Sequence, residues 1–174
     1  EKSLNKFVNK IYIILASDEF LDINLSIKKE NHKNFLEKEN VNSLINDAKN
    51  QFLSTTENMK LIHVIIDNYI IEEKRYQTFP DRIRCDNFCI TLKIVCIKRD
   101  FLKDLEKILE RYQVSISRIF SYNYLKSQNS LKSEVDIFSA AERIIDKQSP
   151  NEVELVSKNP KNKGFFEKFF FIFN

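Results

Sequence analysis

The whole chain, 174 residues, contains one glycine, Gly164. Loops that cradle phosphate need several, because a backbone without Cβ lets successive N–H groups approach the ligand. A Walker loop, a dinucleotide fingerprint and the glycine-bearing phosphate loops of actin-like ATPases are therefore excluded from these residues. Nucleotide binding goes with them, and no cofactor is expected.

What the chain has instead is alternation. Phe88, Ile90, Leu92, Ile94 and Cys96 share one face of a strand, and Cys89, Thr91, Lys93, Val95 and Ile97 the other. Lys10 to Ala16 reads as a short apolar strand. A second, half-buried one follows, where Ile23, Leu25 and Ile27 alternate with Asp22, Asn24 and Ser26. Asn31 to Asn40 is polar and is expected to be a loop. Val41, Leu44, Ile45, Ala48 and Phe52 recur at helical spacing, with Asn40 as the expected N-cap. Leu61 to Ile71 is β-rich with an interruption at Asp67–Asn68, and Phe79–Pro80–Asp81 marks a turn. Asp100 is expected to cap a helix whose stripe is Phe101, Leu105, Ile108, Leu109 and Tyr112, and Val114, Ile116 and Phe120 form a last strand. From Ser121 to Ser133 the composition turns polar, and Val135, Phe138, Ala141 and Ile144–Ile145 suit one short helix.

This order predicts an α+β fold over residues 10–121, a small antiparallel sheet with two helices on one face. A linker over 122–163, holding Pro150 and Pro160, and a short C-terminal amphipathic helix over 164–174 complete the layout. The 28 basic and 25 acidic residues leave a net charge of +3. The basic residues are spread along the chain, so no nucleic-acid partner is expected. Cys85, Cys89 and Cys96 are odd in number and spaced unlike a zinc or redox pair, so they read as small hydrophobes in a reducing compartment. No secretory signal or spanning helix is read.

The last fourteen residues, KNKGFFEKFFFIFN, gather six phenylalanines and an isoleucine among three lysines. On a helical wheel Phe165, Phe166, Phe169, Phe170, Ile172 and Phe173 fall within an arc of roughly 160°. Glu167, Lys168 and Asn174 take the opposite side, with Phe171 out of place. Such a helix is about 16 Å long, too short for a hydrocarbon core of about 30 Å. It is long enough to lie in the interface, rings down, with Lys161, Lys163 and Lys168 toward anionic headgroups. Shallow burial of six apolar side chains gives on the order of 5–9 kcal/mol gross, which suits reversible attachment. The alternative is a terminal helix docked on its own domain or on a partner protein.

The run KLIHVIIDNYIIEE, Lys60 to Glu73, resembles the strand pair "LHVIPQEYIVDG" of the bacterial cell-division protein FtsA, in its inserted SHS2 subdomain. Phe88 to Phe120 is similar to that family's strand, helix and strand ending in "GLEVDEIV", and VNSLINDAKNQF to the helix before its His-Val strand. The likeness covers residues 10–121. FtsA proteins also end in a short amphipathic helix, after a linker, that holds them on the inner face of the cytoplasmic membrane. The resemblance therefore implies a non-catalytic, peripheral scaffold at the septum. Its partners would be other division proteins, itself through the SHS2-like domain, and the membrane surface through the C-terminal helix. The family's ATP-binding core and its subdomain for the FtsZ tail have no counterpart in these residues, so neither activity is carried over.

No catalytic or metal set is expected. His63 has no ligand partners nearby in sequence, His32 being the only other histidine, and is expected to be a hydrogen-bonded structural residue. Asp18–Glu19 and Glu72–Glu73 lack a nucleophile and suit solvated loops. Lys98–Arg99 and Lys103 read as an exposed face, while Arg75, Arg82 and Arg84 flank a turn that could meet a partner.

Overall fold

The alternating run at Phe88–Ile97 lies in the interior of the main sheet, where both faces of a strand must be covered. The structure, a computed structural model, describes residues 7–129, 136–149 and 151–153. Its elements in order are β1 (Lys10–Leu15), β2 (Phe20–Phe35), α1 (Lys38–Thr55), β3 (Met59–Ile71), β4 (Lys74–Tyr76), β5 (Arg84–Lys98), α2 (Arg99–Glu110), β6 (Ser115–Ser121), α3 (Tyr122–Asn129) and α4 (Ile137–Ile145). The protein is an α+β fold. Four strands form an antiparallel sheet in the order β2-β5-β3-β4, and β1 and β6 form a separate parallel pair.

One face of the sheet belongs to α1. All five apolar residues of its expected stripe are buried, against Ile90, Leu92, Ile94 and Cys96 of β5 and Val64, Ile66, Tyr69 and Ile71 of β3. The other face presents Val95, Ile97, Ile62 and Ile65. It is covered by Ile119 and Phe120 of β6, Leu102 of α2, and Tyr124, Leu125, Ala140, Ala141 and Ile144 of α3 and α4. The helices therefore divide between the two faces rather than sharing one. The strand itself demands this: β5 is apolar on both sides over its C-terminal half, so each side needs its own cover.

The interruption at Asp67–Asn68 is a bulge within a continuous strand. The pairing of β3 with β5 shifts register between Leu61 and His63 and again between Ile66 and Asn68. Each shift sets one extra residue against the partner strand. As a result Leu61 and Val64 pack with α1 together, as do Ile66 and Tyr69, although each pair is three residues apart. Strict alternation would send one member of each pair to the opposite face.

Several expected boundaries move. Residues 31–35 are strand, not loop: after a bulge between Glu30 and Asn34, Asn34 and Phe35 pair with Cys85 and Arg84. Buried Asn31 stabilises that bulge by donating from Nδ2 to the Asn34 carbonyl at 2.7 Å. The α1 N-cap is Glu37; Asn40 is the third helical residue, and its Oδ1 accepts the Glu37 N–H at 3.2 Å. Likewise Lys98 is the N-cap of α2, with Asp100 inside its first turn. On α2 only Leu102 is fully buried, while Ile108 faces solvent, as does Tyr112 just past the end of the helix.

Residues expected in the linker also belong to the body. Polar-looking Tyr122–Asn129 forms α3, which buries Tyr124 and Leu125, and α4 buries Ala140, Ala141 and Ile144 while Phe138 stays exposed. Residues 151–153 then run along β3: Ile66 N–H donates to the Asn151 carbonyl and Val153 N–H to the Val64 carbonyl, both at 2.8 Å.

Candidate functional site

The whole predicted membrane-binding set, Lys161, Lys163, Phe165, Phe166, Lys168, Phe169, Phe170, Ile172 and Phe173, lies outside the described residues. Within them, two features stand out on the face covered by α3 and α4. One is a buried polar cluster and the other an apolar groove beside it.

The cluster is centred on Glu152, whose side chain is 2% exposed. Four separate segments meet there: His63 from β3, Arg118 and Ser121 from β6, Tyr124 from α3, and Glu152 from the strand-like run after α4. Ser121 N–H donates to His63 Nε2 at 3.1 Å, so that nitrogen carries no proton. His63 must then hold its proton on Nδ1, which lies 2.9 Å from Glu152 Oε1 and donates to it. Arg118 Nη2 donates to the same oxygen, and Tyr124 Oη to Oε2 at 3.1 Å. Aromatic contacts close the cluster: the His63 and Tyr124 ring centres are 4.4 Å apart, and the Arg118 guanidinium sits 5.0 Å above the Phe120 ring.

Burial lowers the His63 pKa, against the hydrogen bond and charge of Glu152, which raise it. Burial, then the Glu152 charge, pushes the Tyr124 phenol up. Both groups are therefore held neutral, and three donors converge on one carboxylate. The arrangement acts as a clamp: it pins residue 152, and the backbone pairing around it, against β3. A cleft of about 260 Å³ lined by Arg118, Lys147, Ser149 and Ile145 opens onto this clamp.

The clamp has a pH signature. A folded-state pKa below the unfolded value of about 6.5 means that the unfolded chain binds the proton first. Stability from His63 is then intact above pH 6.5 and falls as pH drops toward the lowered folded pKa. The slope there is at most about 1.4 kcal/mol per pH unit. Urea unfolding at pH 7 and pH 5.5 should show wild type losing stability and His63→Gln losing less. Equal pH dependence of the two proteins would show that His63 does not titrate in this way.

The groove lies between β1 and α4. It has a volume of about 680 Å³, with Tyr12, Ile14, Phe120, Ile137, Phe138 and Ala141 on its walls and Asp136 and Glu142 among its polar lining. Tyr12 and Phe138 are 56% and 68% exposed, so large apolar side chains flank it without cover from the described residues.

Of the other residues singled out from sequence, Glu19 pairs with Lys98 at 3.0 Å and Lys103 with Asp100 at 3.2 Å, both exposed. Glu72 and Glu73 are the exposed corner of the β3–β4 hairpin. Arg84 stacks on Phe35 with its guanidinium carbon 4.4 Å from the ring centre, and Arg82 lines a shallow surface with Phe79 and Lys38. Cys85 and Cys96 are buried in the α1-side core and unbonded to each other; burial raises both thiols. Among the described residues no three His, Cys, Asp or Glu side chains are grouped to hold a metal ion.

Sequence reading found His63 but none of its partners. Glu152 is 89 residues away, in a stretch whose polarity and flanking proline suggest a linker. The chain matches no protein-family model, and no curated protein matches it.

Proposed function

We infer that this chain is a membrane-attached, non-catalytic scaffold of the FtsA kind. In this reading its α+β body contacts division proteins and other copies of itself, and its C-terminal segment holds it on the inner face of the cytoplasmic membrane. What carries the reading is the succession of two features in one chain. The first is the Lys60–Phe120 run that resembles the SHS2 subdomain; the second is the terminal Phe and Lys cluster. Among the described helices none is long and apolar enough to cross a membrane, so attachment would fall to that cluster.

Co-sedimentation with vesicles containing anionic lipid tests it. The full chain should pellet with the vesicles and a chain ending at Asn162 should stay in solution; equal pelleting of the two would sink the reading. High salt should weaken the pelleting, because the lysine contribution is screened.

The groove favours a second reading, in which the terminal segment docks on this domain or on a partner protein. Its apolar walls and its Asp136 and Glu142 carboxylates complement phenylalanines interleaved with lysines. That reading predicts a lipid-independent association lost in Phe169→Ser/Phe170→Ser, with no dependence on vesicles.

A further inference from the structure

We propose that the free edge of β2 is a self-pairing surface, on which a second copy of this chain adds its own β2 antiparallel about a two-fold axis at Leu25. The inference deepens the self-association part of the reading above and is independent of the membrane part.

Three observations carry it. First, β2 ends the four-stranded sheet and, among the described residues, pairs with β5 alone. The opposite side is not bare: β4 pairs with Tyr69–Ile71, and residues 151–153 run beside Val64–Ile66. Second, the bare edge is regular where it matters. Its pairing with β5 is unbroken from Phe20 to Glu30, and the bulge that bends it away comes only afterwards, where His32 and Lys33 have φ of 49° and 60°. Unpaired, regular edges are templates for another strand.

The third observation is charge, and it selects the register. In an antiparallel pair, alternate residues direct their N–H and C=O groups outward, so a two-fold pairing must match residues of like parity. It must also keep Ile23, Leu25 and Ile27, which pack on the α1-side core, on one continuous face. An axis at Leu25 sets Asp22 opposite Lys28 of the second copy, Ile23 opposite Ile27 and Asn24 opposite Ser26. An axis at Ser26 instead sets Asp22 against Glu30, two like charges. An axis at Asn24 pairs no opposite charges, leaving Asp22 facing Ser26; the strand ends mismatch in either case, with Phe20 opposite Lys28 there and opposite Glu30 about Leu25.

Of these three axes only that at Leu25 matches opposite charges, and symmetry makes the match twice. Lys28 is exposed and has no ion-pair partner among the described residues, so it is available. Asp22 pairs with Lys93 at 2.8 Å on the inner neighbour strand, and its side chain is still half exposed. The product would be a continuous eight-stranded sheet with both α1 helices on the same side.

Sedimentation velocity of the full chain without lipid, across a concentration series, tests this. Wild type should dimerise reversibly. Lys28→Asp and Asp22→Lys should each weaken the dimer by about tenfold or more, since each creates two like-charge contacts. The double exchange, Asp22→Lys with Lys28→Asp, should restore it. Circular dichroism checks folding; Lys28→Asp removes no ion pair of the monomer and is the decisive single variant. A monomer at all concentrations overturns the proposal. So does a dimer indifferent to all three variants, the behaviour expected if association ran through the terminal phenylalanines. Vesicle pelleting is read separately, so loss of one property leaves the other measurable.

Discussion

Glu152→Ala should cost about 3–5 kcal/mol of folding stability, among the largest losses available from any single residue outside the apolar core. The carboxylate accepts from His63, Arg118 and Tyr124 in a site where His63 is fully buried and Glu152 nearly so. Truncation strands all three donors at once. A buried donor without an acceptor costs about 1–3 kcal/mol, and more for a charged one. Arg118, with 28% of its side chain exposed, can partly rehydrate, which keeps the total from being a simple sum. Glu152→Gln keeps one acceptor oxygen and should lose less.

The loss should also be local in its first effect. The backbone bonds from Ile66 to Asn151 and from Val153 to Val64 flank the clamp, so their amides should exchange faster before the sheet as a whole opens. Urea unfolding with hydrogen exchange reads both quantities. An alanine variant within about 1 kcal/mol of wild type would mean that residues 151–153 are held by the backbone pairing alone.

The second large effect runs the other way. Replacing Glu72–Glu73 by Asn-Gly should stabilise the protein by about 1–3 kcal/mol. Ile71 pairs with Lys74, so the two glutamates are the entire hairpin loop between β3 and β4. Both have positive φ, 47° and 68°, the signature of a type I′ turn. A residue with a Cβ pays roughly 1–2 kcal/mol in that region, which Asn tolerates and glycine avoids. Two adjacent carboxylates add repulsion. For a chain of this size the midpoint of thermal unfolding should rise by roughly 2–4 °C per kcal/mol. An unchanged or lower midpoint would show that the glutamates are already relaxed in the turn.

That turn is one case of a general cost. Seven described residues other than glycine have positive φ: His32, Lys33, Glu72, Glu73, Arg82, Gln113 and Lys147. All are polar. A chain whose one glycine is Gly164 has to make these corners with side chains present, and it uses exposed polar ones that can at least stay solvated.

The α+β class, the order of the first strands and helices and the buried face of α1 were all legible in the residues, because they depend on periodicity. Ile90, Leu92 and Ile94 must share a face wherever the strand lies, and so must Val41, Leu44, Ile45 and Ala48. The candidate site was legible only as His63, since a histidine within an apolar run has to find hydrogen bonds when buried. Its acceptor could not be named, because Glu152 stands among polar residues with no periodic signal of its own. The short β4 and the polar α3 were missed for the same reason.

Sequence alone determined the local periods and excluded glycine-built phosphate sites. Tertiary structure decided three further things. It divided the helices between the two faces, because β5 is apolar on both sides and each needed cover. It placed the bulges in β3, which are packing adjustments against a neighbouring strand. And it turned residues 122–129, 136–149 and 151–153 from a linker into part of the body. Glu152 is held there by donors that lie 28 to 89 residues away along the chain and meet it only once the sheet has formed.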